Sequence, residues 1–334
     1  MVNNMDENNN KKVKLPPLDF RIPKWDLNEL QERLCPICNN SDSITKHIRP
    51  DSLTVKFCNN CNTFFVSPAP SPQELSKFYA NYDESHRREP IINTDDLVHN
   101  YKDINPLVDF RIQELSKHIS LLNSKVLDVG FGRAQFLYSL MKLGAIPFGI
   151  ELDEKAIEYA TALGIHNVHK GSIEDMSDYT KFNLIILNDL LEHPLNPMSL
   201  IRKAHDLLEN NGLLMIWTPN GEITDNELSP TTFRVDLEHM QYLTPKSCKY
   251  IAKEFNFKII HLETLGFPNL IGIDKPLKST PNLKNQIYKV IKLIPGASMI
   301  YYLLNKLKKK LMPTIIEERM KGAYHLFCIM QKSV

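Results

Sequence analysis

Four cysteines, one glycine-bearing turn and two Glu-His pairs are the parts of this 334-residue chain whose types and spacing could do chemistry. Cys35-Pro-Ile-Cys38 and Cys58-Asn-Asn-Cys61 stand 19 residues apart, the spacing of a two-knuckle metal site. Four thiolates fill a tetrahedral Zn2+ and leave no position for water, so the expected ion is structural. It would compensate for a segment too small to build its own core. His47 and His86 lie close by, but the spacing asks for neither. Cys248 and Cys328 stand alone and read as small core residues.

The segment Lys125-Val-Leu-Asp128-Val-Gly130-Phe-Gly132-Arg-Ala134-Gln-Phe-Leu137 reads as an apolar strand ending in an acid, a turn of small residues, then an amphipathic helix. Glycine lets backbone approach a ligand with no side chain between, and the first NH groups of the helix attract an anionic group. A dinucleotide fingerprint would need glycine at 135, where Gln135 stands. The next apolar run ends in Glu151, about 20 residues past the glycines, where a carboxylate can accept both ribose hydroxyls.

The elements that must position these residues follow from periodicity. Short apolar strands at Lys125 to Val129, Ile146 to Ile150, Leu184 to Asn188 and Leu213 to Thr218 alternate with amphipathic helices at Gln135 to Leu143, Glu154 to Leu163 and Met198 to Leu208. That alternation predicts a parallel sheet with helices on both faces. Ser71-Pro72-Gln-Glu74 opens a serine-capped helix, and a further helix is expected from Pro106 to His118. Two later strands, Lys258 to Glu263 and Tyr324 to Gln331, flank a stretch of helical spacing. Its residues 275–311 hold nine lysines and no acid.

Asp128-Val-Gly130-Phe-Gly132-Arg-Ala134 resembles the first motif of the class I S-adenosylmethionine-dependent methyltransferases, with Ala134 at the third glycine position. That resemblance implies S-adenosylmethionine as cofactor and a seven-stranded Rossmann-like sheet whose last strand is antiparallel. It places Glu151 on the ribose, Ser172 and Ile173 beside the adenine, and Asn188-Asp189 at the end of the fourth strand. The cysteine knuckle with Val66-Ser-Pro-Ala-Pro and a Tyr79…Tyr82 helix resembles a subgroup acting on sugars, nucleotide-sugars or cell-surface glycan precursors. In that subgroup Tyr79 and Tyr82 are substrate-side candidates.

Methyl transfer to a hydroxyl needs an aligned acceptor and a base, and histidine titrates near neutrality. Glu238-His239, just ahead of Tyr242-Leu-Thr-Pro245, resembles the Glu-His pair of zinc-bearing sugar C-methyltransferases. Those enzymes commonly have a tyrosine two positions before the Glu, where this chain has Asp236. Oxygen or nitrogen methylation is therefore expected over carbon, oxygen first. His239 is the expected base with Glu238 orienting it, and His193, after Glu192, has a cofactor-side, structural or second catalytic role.

The division expected along the chain is a flexible leader at 1–30, a zinc-binding knuckle at 31–68 and a helical lid at 69–124. The cofactor-binding domain spans 125–265 and 320–334, and a lysine-rich helical insertion occupies 266–319. Forty basic residues against 39 acidic give no overall field that recruits nucleic acid. The expected partner is a small acceptor, anionic or a sugar, with peripheral membrane contact through 275–311 as a further possibility and the oligomeric state open. With no secretory signal or long apolar run in the sequence, the expected location is the cytoplasm. Two alternatives stay open: an RNA methyltransferase with a zinc knuckle, and a zinc-stabilised interaction module without turnover.

Overall fold

The computed structural model describes residues 17, 21–80, 93–176, 180–222, 231–266, 320–321 and 324–333. Tyr82, His86, most of the leader and all of 275–311 lie outside these residues.

The chain forms two sheets. The larger is built from β4 (Lys125–Val129), β5 (Ile146–Glu151), β6 (Val168–Lys170), β7 (Phe182–Asn188), β8 (Leu208–Pro219), β10 (Phe257–Gly266), β11 (Met320–Lys321) and β12 (His325–Lys332). Their order is β11-β10-β12-β8-β7-β4-β5-β6. Strands β4 to β8 run parallel, whereas β12 lies antiparallel between β8 and β10. This is the expected Rossmann-like sheet with its antiparallel last strand, extended at one edge by the two residues of β11.

Alternation along the strands sends side chains to two cores. Val126, Leu184, Ile186 and Met215 pack with Leu137 and Tyr159, while Leu127, Val129, Ile185 and Leu187 pack with Ile201, Cys248 and Ile251. Inner parallel strands are covered on both faces, which is why they read as unbroken apolar runs. The covering helices are α4 (Gln135–Lys142), α5 (Glu154–Ala162), α6 (Pro197–Leu207) and α7 (Pro245–Glu254). Thr244 and Ser247 close a capping box at α7 with Pro245 in its first turn.

Ahead of the sheet lie α1 (Pro72–Ala80), α2 (Thr94–Lys102) and α3 (Phe110–Leu115). Ser71 Oγ accepts from Glu74 N at 3.2 Å, the expected serine cap. The helix expected from Pro106 to His118 is divided into a 3-10 turn at Pro106–Val108 and α3. Asp109 between them is extended, and its carboxylate caps Arg111 N at 2.9 Å. A short acid that bonds the backbone ahead of it starts a new helix instead of continuing the old one.

The smaller sheet has the order β1-β2-β3-β9, from β1 (Ser43–Ile48), β2 (Thr54–Cys58), β3 (Phe64–Val66) and β9 (Gln241–Tyr242). Its fourth strand comes from the segment that follows His239, so the cysteine-bearing region and the loop after β8 are hydrogen-bonded into one sheet. Arg49 has no exposed surface and secures this junction. It pairs with Asp51 and donates to Leu237 O, to His239 O and, at 2.9 Å, to Tyr242 Oη. Removing one partner of such a pair leaves a buried charge unpaired. Arg49→Met is therefore expected to destabilise the protein by about 3–5 kcal/mol. Denaturant unfolding checks this, and Asp51→Asn combined with Arg49→Met should cost less than the sum of the two single changes.

Candidate active site

The turn after β4 holds three left-handed residues, Gly130 at φ +71, Gly132 at +52 and Ala134 at +58. Glycine adopts this conformation freely. Ala134 does so at a cost of about 1–2 kcal/mol, and its fully buried methyl keeps any larger side chain out of the turn. A Cβ at Gly132 would meet nothing within 4 Å, so open space adjoins the turn. No side chain caps α4, which leaves its first NH groups to a ligand.

Glu151 at the end of β5 reaches back to this turn. One carboxylate oxygen accepts from Gly132 N at 2.9 Å and the other from Leu152 N at 2.7 Å. Asp128, at the end of β4, is buried with its Oδ1 lacking any hydrogen bond among the described residues. Burial first and the Glu151 charge second push its carboxyl up to about 8, against the pull of Arg111. Asp189, just past β7, keeps an exposed edge, and crowding by the surrounding protein still raises it to about 6. Arg111 only partly offsets these shifts, and the orphaned oxygen of Asp128 fits the cationic part of a cofactor.

Ser172 caps the 3-10 turn Ile173–Asp175 and contacts the Glu174 carboxylate, both at the surface. Ile173, expected beside a ring, is instead fully buried in the core because the capped turn points it inward. Asn188 Oδ1 accepts from Arg111 Nη1 at 2.8 Å. Arg111 was not visible as a site residue in the sequence. Its guanidinium lies 4.6 Å from the Phe136 ring and 5.1 Å from the Trp217 ring, and Asp109 holds it from below. The only signal was a lone cation among the apolar residues Phe110, Ile112 and Leu115.

The two Glu-His segments meet in space. The rings of His193 and His239 stand edge to face with centroids 4.8 Å apart. Donor atoms of Glu192, His193 and His239 all lie within 4.8 Å of one another, close enough for the three to hold a cation. The carboxylate grouped with both imidazoles is therefore Glu192, not Glu238, which is buried in the loop itself. Glu192 Oε2 accepts from Thr218 Oγ1 at 2.8 Å while Oε1 has no described partner. Burial raises the Glu192 carboxyl well above its ordinary range and lowers His193 to about 4, so His193 is neutral at pH 7. Tyr79 on α1 bonds His193 Nδ1 through its hydroxyl at 2.9 Å.

The four cysteines form a second cluster. Cys35 and Cys61 sulfurs are 3.4 Å apart, as are those of Cys38 and Cys58, and all four lie within 4.8 Å. A tetrahedral ion with about 2.3 Å bonds needs sulfurs about 3.8 Å apart, so the set fits zinc. Each knuckle turns through a left-handed asparagine, Asn39 or Asn62. His47 lies instead against Phe233, at 5.3 Å.

A family model described as a methyltransferase domain matches residues 101–262. The ubiquinone biosynthesis O-methyltransferase of Pelagibacter ubique is 30% identical over 225 residues, 63% of this chain and 92% of that protein. The enzyme of the same name from Glaesserella parasuis is 33% identical over 132 residues, and there the match spans only 56% of the relative. Among solved structures, a SAM-dependent methyltransferase from Archaeoglobus fulgidus is similar over 70% of this chain and 96% of its own, at 18% identity and a TM-score of 0.45.

The buried groups set a pH dependence. Asp128 keeps a proton up to about 8 when folded but would lose it near 3.8 when unfolded, so its contribution to stability falls as pH rises between those values. His193, neutral above about 4 when folded and above 6.5 when unfolded, contributes in the opposite sense, and its effect is complete by pH 6.5. Between pH 6.5 and 8 the cofactor-free protein should therefore lose stability, by up to about 1.4 kcal/mol per pH unit for one proton. Melting curves of Asp128→Asn should be flatter across this range than those of the unaltered chain.

Proposed function

The chain belongs to the S-adenosylmethionine-dependent methyltransferases, and from that premise we propose that it methylates a hydroxyl of a small acceptor, of the sugar, nucleotide-sugar or glycan-precursor class. The observation that carries the proposal is the meeting of His193 and His239 just past the Asn188-Asp189 end of β7. When bound, S-adenosylmethionine supplies a methyl group on a sulfonium, already activated for in-line displacement.

The residues assigned to the cofactor are the Gly130 to Ala134 backbone, Glu151 for the ribose, and Ser172 at the adenine end. Asp128, Asn188 and Asp189 face its cationic part, and Arg111 suits its carboxylate. His239 takes the acceptor proton, and Glu192, held by Thr218 beside both imidazoles, helps to position the pair. Tyr79 fixes His193 through Nδ1 and so orients the pair. The names of the relatives support oxygen as the atom methylated. The lysines of 275–311 support an anionic acceptor. The four cysteines hold a structural Zn2+ in this reading, because four sulfurs leave no open position for catalysis.

Among the described residues no helix is long and apolar enough to cross a membrane. Contact of 275–311 with an acidic lipid surface belongs to the same proposal and would show as salt-sensitive vesicle binding.

Incubation with methyl-labelled cofactor and a panel of nucleotide-sugars and glycans is expected to label one of them. His239→Ala should lower kcat by about 10²–10⁴-fold while leaving cofactor affinity within about twofold. Unchanged turnover removes His239 as the base. Elemental analysis should find one zinc per chain, lost in Cys58→Ser together with a drop in melting temperature.

A further inference from the structure

Arg33 precedes the first metal-ligand candidate, Cys35, by two residues, yet its guanidinium reaches across to both histidine loops. Nη1 donates to Leu195 O at 3.1 Å, two residues past His193. Nη2 donates to Met240 O at 2.7 Å, the residue after His239, and to Gln241 Oε1 at 2.9 Å. Nε donates to Val66 O at 2.9 Å, which ties the group to β3. All four acceptors are neutral oxygens, and they converge on one planar fork that no other side chain reproduces.

The contact with Gln241 has a second consequence. Because Arg33 can only donate, Gln241 must present its oxygen there and turn its NH2 the other way. That NH2 donates to Leu191 O at 2.5 Å and Pro194 O at 2.7 Å, the residues bracketing Glu192 and His193. Met240 N completes the bridge by donating to Glu192 O at 2.7 Å. One guanidinium therefore fixes the His239 loop directly and the His193 loop both directly and through Gln241.

We propose that Arg33 is a positioning residue for the His193–His239 pair, acting through Leu195, Met240 and Gln241 without touching acceptor or cofactor. The cysteine-bearing segment thereby contributes to catalysis as well as to stability, because the side chain that sets the spacing of the two imidazoles projects from it. This rests on the reading of the pair as the proton acceptor.

The test uses the full-length, zinc-loaded chain with Arg33→Lys and Arg33→Met, and histidine nitrogen NMR as the first readout. A lysine keeps the charge but carries its donors on a single nitrogen, which cannot serve acceptors lying in several directions. In Arg33→Lys the resonances of His193 and His239, assigned by their alanine variants, are expected to shift or broaden while those of His166 and His169 stay in place. Zinc content and calorimetric affinity for S-adenosylhomocysteine should remain within about twofold, while kcat falls about tenfold or more with little change in acceptor KM. Arg33→Met should show the same pattern more strongly, and if it fails to fold the lysine variant decides. Unchanged imidazole resonances in Arg33→Lys overturn the proposal. So does a loss of zinc and cofactor binding in parallel with the histidine changes, which marks a general structural role. If the unaltered chain binds no S-adenosylhomocysteine, the methyltransferase reading fails, and the histidine spectra still decide the role of Arg33.

Discussion

A guanidinium shut away from water, that of Arg49, holds the edge on which the candidate catalytic loop rests. Burying such a charge is tolerable only when a counter-charge and good acceptors surround it. Asp51 supplies the charge, and Leu237 O, His239 O and Tyr242 Oη supply the acceptors. Trp25 Nε1 adds a 2.9 Å bond to the same carboxylate, drawing the segment near residue 25 into the network. A two-residue strand such as β9 has too little ladder to hold itself. Its position, and with it the backbone at His239, is set by these side chains.

The same economy of charge governs the end of the large sheet. Asp128 and Glu192 are buried while Asp189 is exposed, and Arg111 is the cation that acts on Asp128 and Asp189. Burial raises Asp128 to about 8 and Glu192 well above its ordinary range, so in the free protein these two hold protons at pH 7. Arg111 keeps its place by stacking between two rings, so its charge is fixed by packing as much as by Asp109.

Much of this was legible in the sequence. The strands β4, β5, β7 and β8 declared themselves because parallel strands covered on both faces must be apolar throughout, and the turn at Gly130 to Ala134 because its conformation demands small residues; the three-residue, half-polar β6 did not. The four cysteines came together as their spacing required. Less visible were β1 and β2, half-polar strands whose pairing is local, and α7, whose Thr244-Pro245 start lay in a stretch read only for its Glu-His pair. Tyr79 and His193 were each singled out, but for separate reasons, and their contact is a product of tertiary packing. The grouping of Glu192 with both histidines was likewise beyond reach, since adjacency in sequence favours Glu238 and only the fold brings the β7 loop against the β9 segment. Ile173 was expected beside the adenine from the resemblance alone, and only the structure shows that its capped turn sends it into the core.

The pairing of β3 with β9 also has an implication for the order in which the molecule is made. Phe64 sits opposite Tyr242 and Phe65 opposite Gln241. On the ribosome the cysteine segment emerges long before its fourth strand, and must wait through the synthesis of β4 to β8 before its sheet can close. During that interval the four cysteines are available while the Arg49 acceptors at Leu237 and His239 do not yet exist. The four cysteines can therefore come together early, but the unit around them becomes complete only when the rest of the domain has been delivered.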